Sequence, residues 1–417
     1  MGDFTAVACH DDHMGIDLES LYMDLHRHPE LSFQEFRTAA VVEEHLTTLG
    51  FDVHTTIGGT GVVGVLDNGD GPVVLLRADM DGLPVEELSG LDYASTATAR
   101  DHTGQFVPVM HACGHDVHVT ALIGAAEELV ATSDEWAGTL IVLFQPAEEH
   151  GGGAQVMVDD GLYDLIPTPD VVLGQHVTPL PAGVLSLHDG VTMAGDDSLR
   201  ITLHGVGGHG SRPEATVDPI VMAANVVQRL QQVVSRGIAA TESVVITVGQ
   251  LHAGTKNNII PSSATLGLSV RTFDDAVRTT VLRAIERVVQ AEAGAAGSPT
   301  APEVIYEERY PVTVNHTDSV ARLREAFTSE FGARQIVDVG VVSGSEDVGN
   351  LALAAGAPLV YWFLGGADPA LFEGMTDTDR MPANIPSNHS PYFAPVLQPT
   401  LTRGVEALVI AAREWLL

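Results

Sequence analysis

Apolar positions in this chain recur with two different periods, and each change of period marks a new element. Over residues 16–50, Leu18, Leu21 and Leu25 and then Val41, Val42 and Leu46 fall at helical spacing, which predicts a helical opening. Short apolar runs follow at 61–66, 72–76, 140–144, 171–174 and 359–364, with a helical stretch at 117–131 among them. Such near-continuous apolar strands, alternating with helices, predict an α/β fold with a mostly parallel sheet covered on both faces.

The middle of the chain has another rhythm. Alternation at 198–206 predicts a strand, 220–234 a helix, 243–251 and 264–272 two strands, and 276–291 a second helix. A gap rich in Ala, Gly, Ser and Pro precedes a last strand at 303–310. That order is β-α-β-β-α-β, the split unit of a ferredoxin-like α+β domain. A chain of 417 residues calls for more than one core. The predicted division is one domain from 1–192 and 312–417, with 193–311 inserted into it.

Composition removes several classes of function. The apolar runs are far shorter than the roughly 20 residues of a membrane helix, and the N-terminus lacks a basic and then apolar leader. A formal charge of −35 argues against nucleic acid and anionic membranes as partners. The only lysine is Lys256; every other basic residue is arginine. Two cysteines, Cys9 and Cys113, point to a reducing, cytoplasmic setting.

Candidate chemistry gathers at four places. His111-Ala112-Cys113-Gly114-His115-Asp116 holds a Cys-x-His pair that can converge only in a loop, because two residues apart on a helix diverge by about 200°. Asp116 is the expected N-cap of the helix that follows. Glu148 and Glu149 follow the strand at 140–144, where one carboxylate could bind a metal while the other handles a proton. His176 ends another apolar run, and His389 lies in a loop near the C-terminus. Cys113, His115, Glu149, His176 and His389 make a mixed S/N/O set suited to zinc, manganese, cobalt or nickel. Two ions bridged about 3.5–4 Å apart would lower the pKa of a trapped water.

These blocks, in this order, resemble the M20 metallopeptidase superfamily in its amidohydrolase branch, which includes aminoacylases, hippurate hydrolases and auxin-conjugate hydrolases. The resemblance runs through RHPELS at 27–32 with Glu35, RADMDGLP at 77–84, MHACGHD at 110–116 and FQPAEE at 144–149. It continues through GQH at 174–176, GVGGHGSRP at 205–213, NNIIP at 257–261 and NHSPYF at 388–393. It implies a three-layer catalytic domain and an inserted lid or dimerisation domain, in a homodimer or homotetramer. It also implies two divalent ions, zinc or manganese foremost, with Cys113 bridging them and His115, Glu149, His176 and His389 completing the site. Glu148 is then general base and acid, Asp81 and Asp116 orient ligands, and His209 donates to the oxyanion. Asn258 and Arg271 contact the substrate, Arg271 through its carboxylate.

The implied reaction is hydrolysis of the amide bond of N-acyl amino acids. Within the branch the chain is similar to bacterial aminoacylases, including those that release glutamine from N-acyl-glutamine. A dipeptidase or carboxypeptidase of the same fold, and a non-catalytic metal-stabilised binding protein, are the alternatives. Two departures bear on substrate detail. Glu214 stands where the branch usually has a histidine, and Val348 follows Glu346-Asp347 where an aromatic residue is common.

Overall fold

The computed structural model describes residues 15–374 and 384–417, so Cys9 lies outside the described residues. Its larger sheet has eight strands in the spatial order Asp52–Ile57, Gly61–Asn68, Gly138–Gln145, Val73–Asp79, Val171–Pro181, Leu359–Ala367, Leu185–Ser186 and Ile336–Val337. The central four run parallel, and the first two strands add on antiparallel. Leu75, Leu76, Val142, Leu143, Val172 and Leu173 are fully buried, as strands covered on both faces require. One face packs beneath helices Leu18–Arg27, Phe36–Thr48, His115–Ala131, Thr317–Phe331 and Thr400–Leu416. The other carries the short helices Gly153–Asp159, Leu162–Leu165 and Gly349–Ala355. The result is a three-layer α/β sandwich. No helix among the described residues is long and apolar enough to cross a membrane.

A separate antiparallel sheet takes the order Val244–Ala253, Ser263–Thr272, Gly195–His204, Glu303–Tyr310. Helices Pro219–Gly237 and Asp275–Ala296 bury its apolar side in a core of their own. Numbered along the chain its strands lie 2-3-1-4, the ferredoxin-like arrangement.

Four local expectations change. The opening helical stretch is two helices, parted by a loop that starts at His28-Pro29 and carries Ser32 and Glu35. Strand Asp52–Ile57 is mostly polar, with His54 and two threonines, and so gave no apolar signal. The strand from Val171 runs on to Pro181, which places His176 inside it rather than at its end. Finally, the helix after the Cys-x-His loop starts at His115, with Gly114 as its N-cap at φ 83°. A Cβ on Gly114 would stand 2.3 Å from Val177 Cγ1, so only glycine fits.

Candidate active site

The centre forms at the carboxyl ends of the parallel strands, where open α/β sheets place their ligands. The left-handed turn at Gly114 ends the loop that presents Cys113 and aims His115 from the positive end of its helix. The Cys113 Sγ lies 3.4 Å from His176 Nε2, while His176 Nδ1 donates to the Val177 carbonyl at 2.7 Å and so leaves Nε2 as a lone pair. The C-terminal loop is stitched onto these residues. Asn388 donates to the carbonyls of Cys113 (3.2 Å) and Val177 (3.1 Å), and the His389 N–H donates to Ala112 at 2.8 Å. His389 itself sits at φ 68°, an uncommon value for a residue with a Cβ, and its Nε2 reaches Glu149 Oε1 at 3.2 Å.

The glutamate turn is clamped through its backbone. Ala147 is held left-handed at φ 50°, with its N–H donating to the buried Glu35 carboxylate at 2.8 Å. Asp81 accepts from Glu148 N–H (3.2 Å), Glu149 N–H (3.1 Å) and the Ser32 hydroxyl (2.6 Å). It also accepts from His115 Nδ1 at 3.2 Å, which turns His115 Nε2 toward the glutamates. One carboxylate thus aligns both sides of the site. From the second sheet, the Tyr310 hydroxyl donates to the Glu148 carbonyl at 3.0 Å.

The expected donors converge. Ligand atoms of Cys113, His115 and His176 lie within 4.8 Å of one another, as do those of Cys113, Glu149 and His389, and those of His115, Glu148 and Glu149. Cys113 is common to the first two groups, the placement a bridging thiolate needs. His115 Nε2 is buried without a hydrogen-bond partner, a costly state for a polar atom that a cation would relieve. Burial and then the charges of Glu149 and Glu148 push the Cys113 thiol well up, so a thiolate here requires a nearby cation. These residues fit a pair of divalent ions. Burial, then Glu346 and Glu149, also hold the Glu148 carboxyl well above the usual carboxylate range.

Several contributors were not singled out as site residues. His118, one turn after His115, donates from Nδ1 to Asp79 and accepts the Val177 N–H at Nε2 (2.8 Å). Both nitrogens are used, so it braces the site instead of ligating; its i,i+3 spacing from His115 was the available signal. Behind it, fully buried Arg77 donates to Asp79 (2.7 Å), Glu346 (2.7 Å), Asp347 (3.4 Å) and Gln145 (2.8 Å). Tyr361 adds a hydroxyl bond to Glu346 at 2.5 Å. Asp116 corrects two expectations. It is neither the helix cap nor hydrogen-bonded to a candidate ligand, because its carboxylate accepts from His26 Nδ1 at 2.6 Å.

A pocket of about 660 Å³ opens over this centre. Its apolar wall includes Leu180, Met193, Val342 and Phe363, and its polar wall includes Asp196, Arg271 and Glu308. The Arg271 guanidinium meets Asp196 at 2.9 Å, the Ser343 carbonyl at 2.5 Å and the Ser345 hydroxyl at 3.2 Å. His209 and Asn258 lie elsewhere. His209 sits on a small exposed ladder of the second sheet's domain and Asn258 in the turn just before the ladder's other strand, with Gly210 N–H donating to the Asn258 carbonyl at 2.9 Å, and neither lines the pocket. His209 Nδ1 accepts the Ser211 N–H at 3.1 Å, which leaves Nε2 to carry the ring proton outward.

Residues 75–379 match the model of peptidase family M20/M25/M40. The chain is 38% identical over 320 residues to the hippurate hydrolase of Campylobacter jejuni, covering 76% of this chain and 80% of that one. It is 37% identical over 349 residues to thermostable carboxypeptidase 2 of Saccharolobus solfataricus, covering 82% and 84%. The solved structure of a dinuclear metal-binding M20 peptidase from Bacillus subtilis superposes with a TM-score of 0.71 at 27% identity, covering 96% of this chain and 98% of that one. With the site's geometry, these likenesses establish that the chain belongs to the M20 family of metal-dependent amidohydrolases and peptidases.

Proposed function

We propose that this enzyme cleaves the amide bond of N-acyl amino acids, releasing a carboxylate and a free amino acid. The observation that carries the reading is one pocket in which buried Glu148 stands beside the Cys113-centred donors, with an apolar wall on one side and Arg271 on the other. The relative named for hippurate, itself an N-acyl amino acid, supports that substrate class. In this reading the acyl chain packs on Leu180, Met193 and Phe363, and the free carboxylate meets Arg271, whose remaining N–H groups can serve it beside Asp196. Asn258, outside the pocket wall like His209, contributes a further polar contact only when it is delivered together with that residue.

Bound at Cys113, His115, Glu149, His176 and His389, zinc or manganese ions would polarise the carbonyl and acidify water. Glu148 accepts the proton of the attacking water and returns it to the leaving nitrogen, so one carboxylate serves as base and then acid. Asp81 keeps both glutamates and His115 in register through its four hydrogen bonds. His209 donates from Nε2 to the developing oxyanion. Because it is outside its own pocket wall, closure of segment 193–311 as a lid, or a second copy of the chain, must deliver it.

The test is a turnover screen of the metal-loaded protein on N-acetyl and N-benzoyl amino acids, N-acyl-glutamine among them, against plain dipeptides. Released amine is the readout, and a chelator-treated sample is the control. Faster turnover of N-acyl amino acids, abolished by the chelator, is expected. Turnover of dipeptides alone would favour the peptidase alternative.

A further inference from the structure

The loop Ser343–Asp347 touches three parts of the molecule that the reaction must bring together. At its start it is stitched to the segment leading into 193–311: Val342 N–H donates to the Thr192 carbonyl at 3.0 Å, and Ala194 N–H to the Gly344 carbonyl at 2.9 Å. In its middle it is gripped from the second sheet, where Arg271 Nη1 donates to the Ser343 carbonyl (2.5 Å) and the Ser345 hydroxyl (3.2 Å). Arg271 Nη2 meets Asp196, which leaves Nε for an incoming carboxylate.

At its end the loop holds the glutamate turn. Asp347 is fully buried, and its two oxygens close that turn from both sides. Oδ1 accepts from Gln145 Nε2 at 2.6 Å, and Oδ2 accepts the Ala154 N–H at 2.9 Å. Between these anchors lie residues 146–153, with Glu148 and Glu149 among them and Ala147 in its left-handed conformation. Carboxylate oxygens of Glu148, Glu346 and Asp347 come within 4.8 Å of one another. The loop is stiff between its ends. Glu346 folds back to accept the N–H groups of Asp347 (2.9 Å) and Val348 (3.0 Å), and is itself held by Arg77 and Tyr361. Five residues, with a reach of at most about 17 Å, therefore join the Arg271 end of the pocket to the turn that carries Glu148.

We propose that Asp347 is a positioning residue for Glu148, and that the Ser343–Asp347 loop ties its grip to Arg271, so that a substrate carboxylate seated on Arg271 raises kcat as well as binding. This rests on the amide-hydrolysis reading above. A catalytic group misplaced by about 1 Å loses on the order of 10²-fold in rate. Arg271 drawn onto the substrate's anion fixes the loop, and the loop fixes both anchors of the turn. A substrate without the carboxylate forfeits that fixation, so part of its loss falls on kcat.

The test compares the N-acetyl or N-benzoyl amino acid that turns over fastest with its own carboxamide, reading the released acyl acid. Both kcat and KM are measured for metal-loaded wild type, Asp347→Ala and Ser345→Ala. In wild type the acid should exceed the amide at least about 10-fold in kcat, in addition to its lower KM. In Asp347→Ala the kcat ratio should fall close to one while the KM ratio, which Arg271 sets, is kept. Partial unfolding lowers both kcat values equally and moves neither ratio. Ser345→Ala, at a half-buried position, covers a failure of Asp347→Ala to fold; loss of its hydrogen bond should cut the kcat ratio at least about 3-fold. An unchanged kcat ratio in the variants would overturn the proposal. Equal wild-type kcat for acid and amide would overturn it too, while leaving N-acyl amino acid hydrolysis standing. No turnover of either substrate would overturn both.

Discussion

Arg77→Met removes the one cation from a buried anionic cluster, and its cost can be worked from the structure. The guanidinium is completely inaccessible and lies 2.7 Å from Asp79, 2.7 Å from Glu346 and 3.4 Å from Asp347. Methionine keeps most of the aliphatic stem but leaves these carboxylates facing each other, with Gln145, Tyr361 and His118 as their remaining partners. Removing one member of a buried ion pair costs about 3–5 kcal/mol, and here a single side chain serves three carboxyl groups, so a cost within that range is expected. The stranded carboxylates can recover part of that by binding protons. Their pKa values rise in the folded variant, so its stability drops as pH increases and the deficit should be larger at about pH 8 than at about pH 5. Urea unfolding followed by tryptophan fluorescence reads the right region: Trp136, Trp362 and Trp415 all lie on the larger sheet or the segments packed against it. A deficit below about 1 kcal/mol, or one independent of pH, would refute the reasoning.

Three further outcomes are expected. Cys113→Ser should lose bound metal and activity together, because a serine hydroxyl stays protonated where a thiolate can bridge; metal analysis showing wild-type content would make Cys113 a buried structural thiol. His209→Ala should lower kcat by roughly 10²–10³-fold with KM and metal content little changed, and a near-normal kcat would leave oxyanion stabilisation to the metals alone. Burial opposes the charge on His26, but the hydrogen bond and charge of Asp116, and then Glu87, lift its pKa from 6.5 to about 10. The stability it contributes is complete below the unfolded pKa and is lost as pH rises through the folded one, so thermal melts should decline between about pH 7 and 10. His26→Gln should flatten that decline, whereas parallel wild-type and variant curves would count against the linkage.

What could be read from sequence, and what could not, follows from where the information lies. The four central parallel strands announce themselves as apolar runs because both their faces are buried. The donors Cys113, His115, Glu149, His176 and His389 were identifiable because each is a metal-binding type in a loop or beside an apolar run. The start of the helix at His115 was misread because its cap is a backbone turn at Gly114, with Val177 excluding any Cβ, and not a side-chain acceptor. Arg77 and Glu346 meet across 269 positions of sequence, and nothing local to either residue reports that pairing. His118 looks like any core histidine until Asp79 and the Val177 N–H are seen to use both its nitrogens. His209 and Asn258 show the limit from the other side: their motifs stand out, yet the fold holds them away from the pocket of their own chain.

The account turns on the separation of metal holding from proton handling between neighbouring glutamates. Glu148→Gln preserves size and hydrogen-bonding shape but cannot carry the proton. Bound metal and turnover on an N-acyl amino acid should be measured on the same preparations of wild type and Glu148→Gln. Unchanged metal content with turnover reduced at least about 10²-fold is the predicted result. Retained turnover, or loss of the metal, would contradict the assignment of Glu148 as the proton carrier beside a Glu149 ligand.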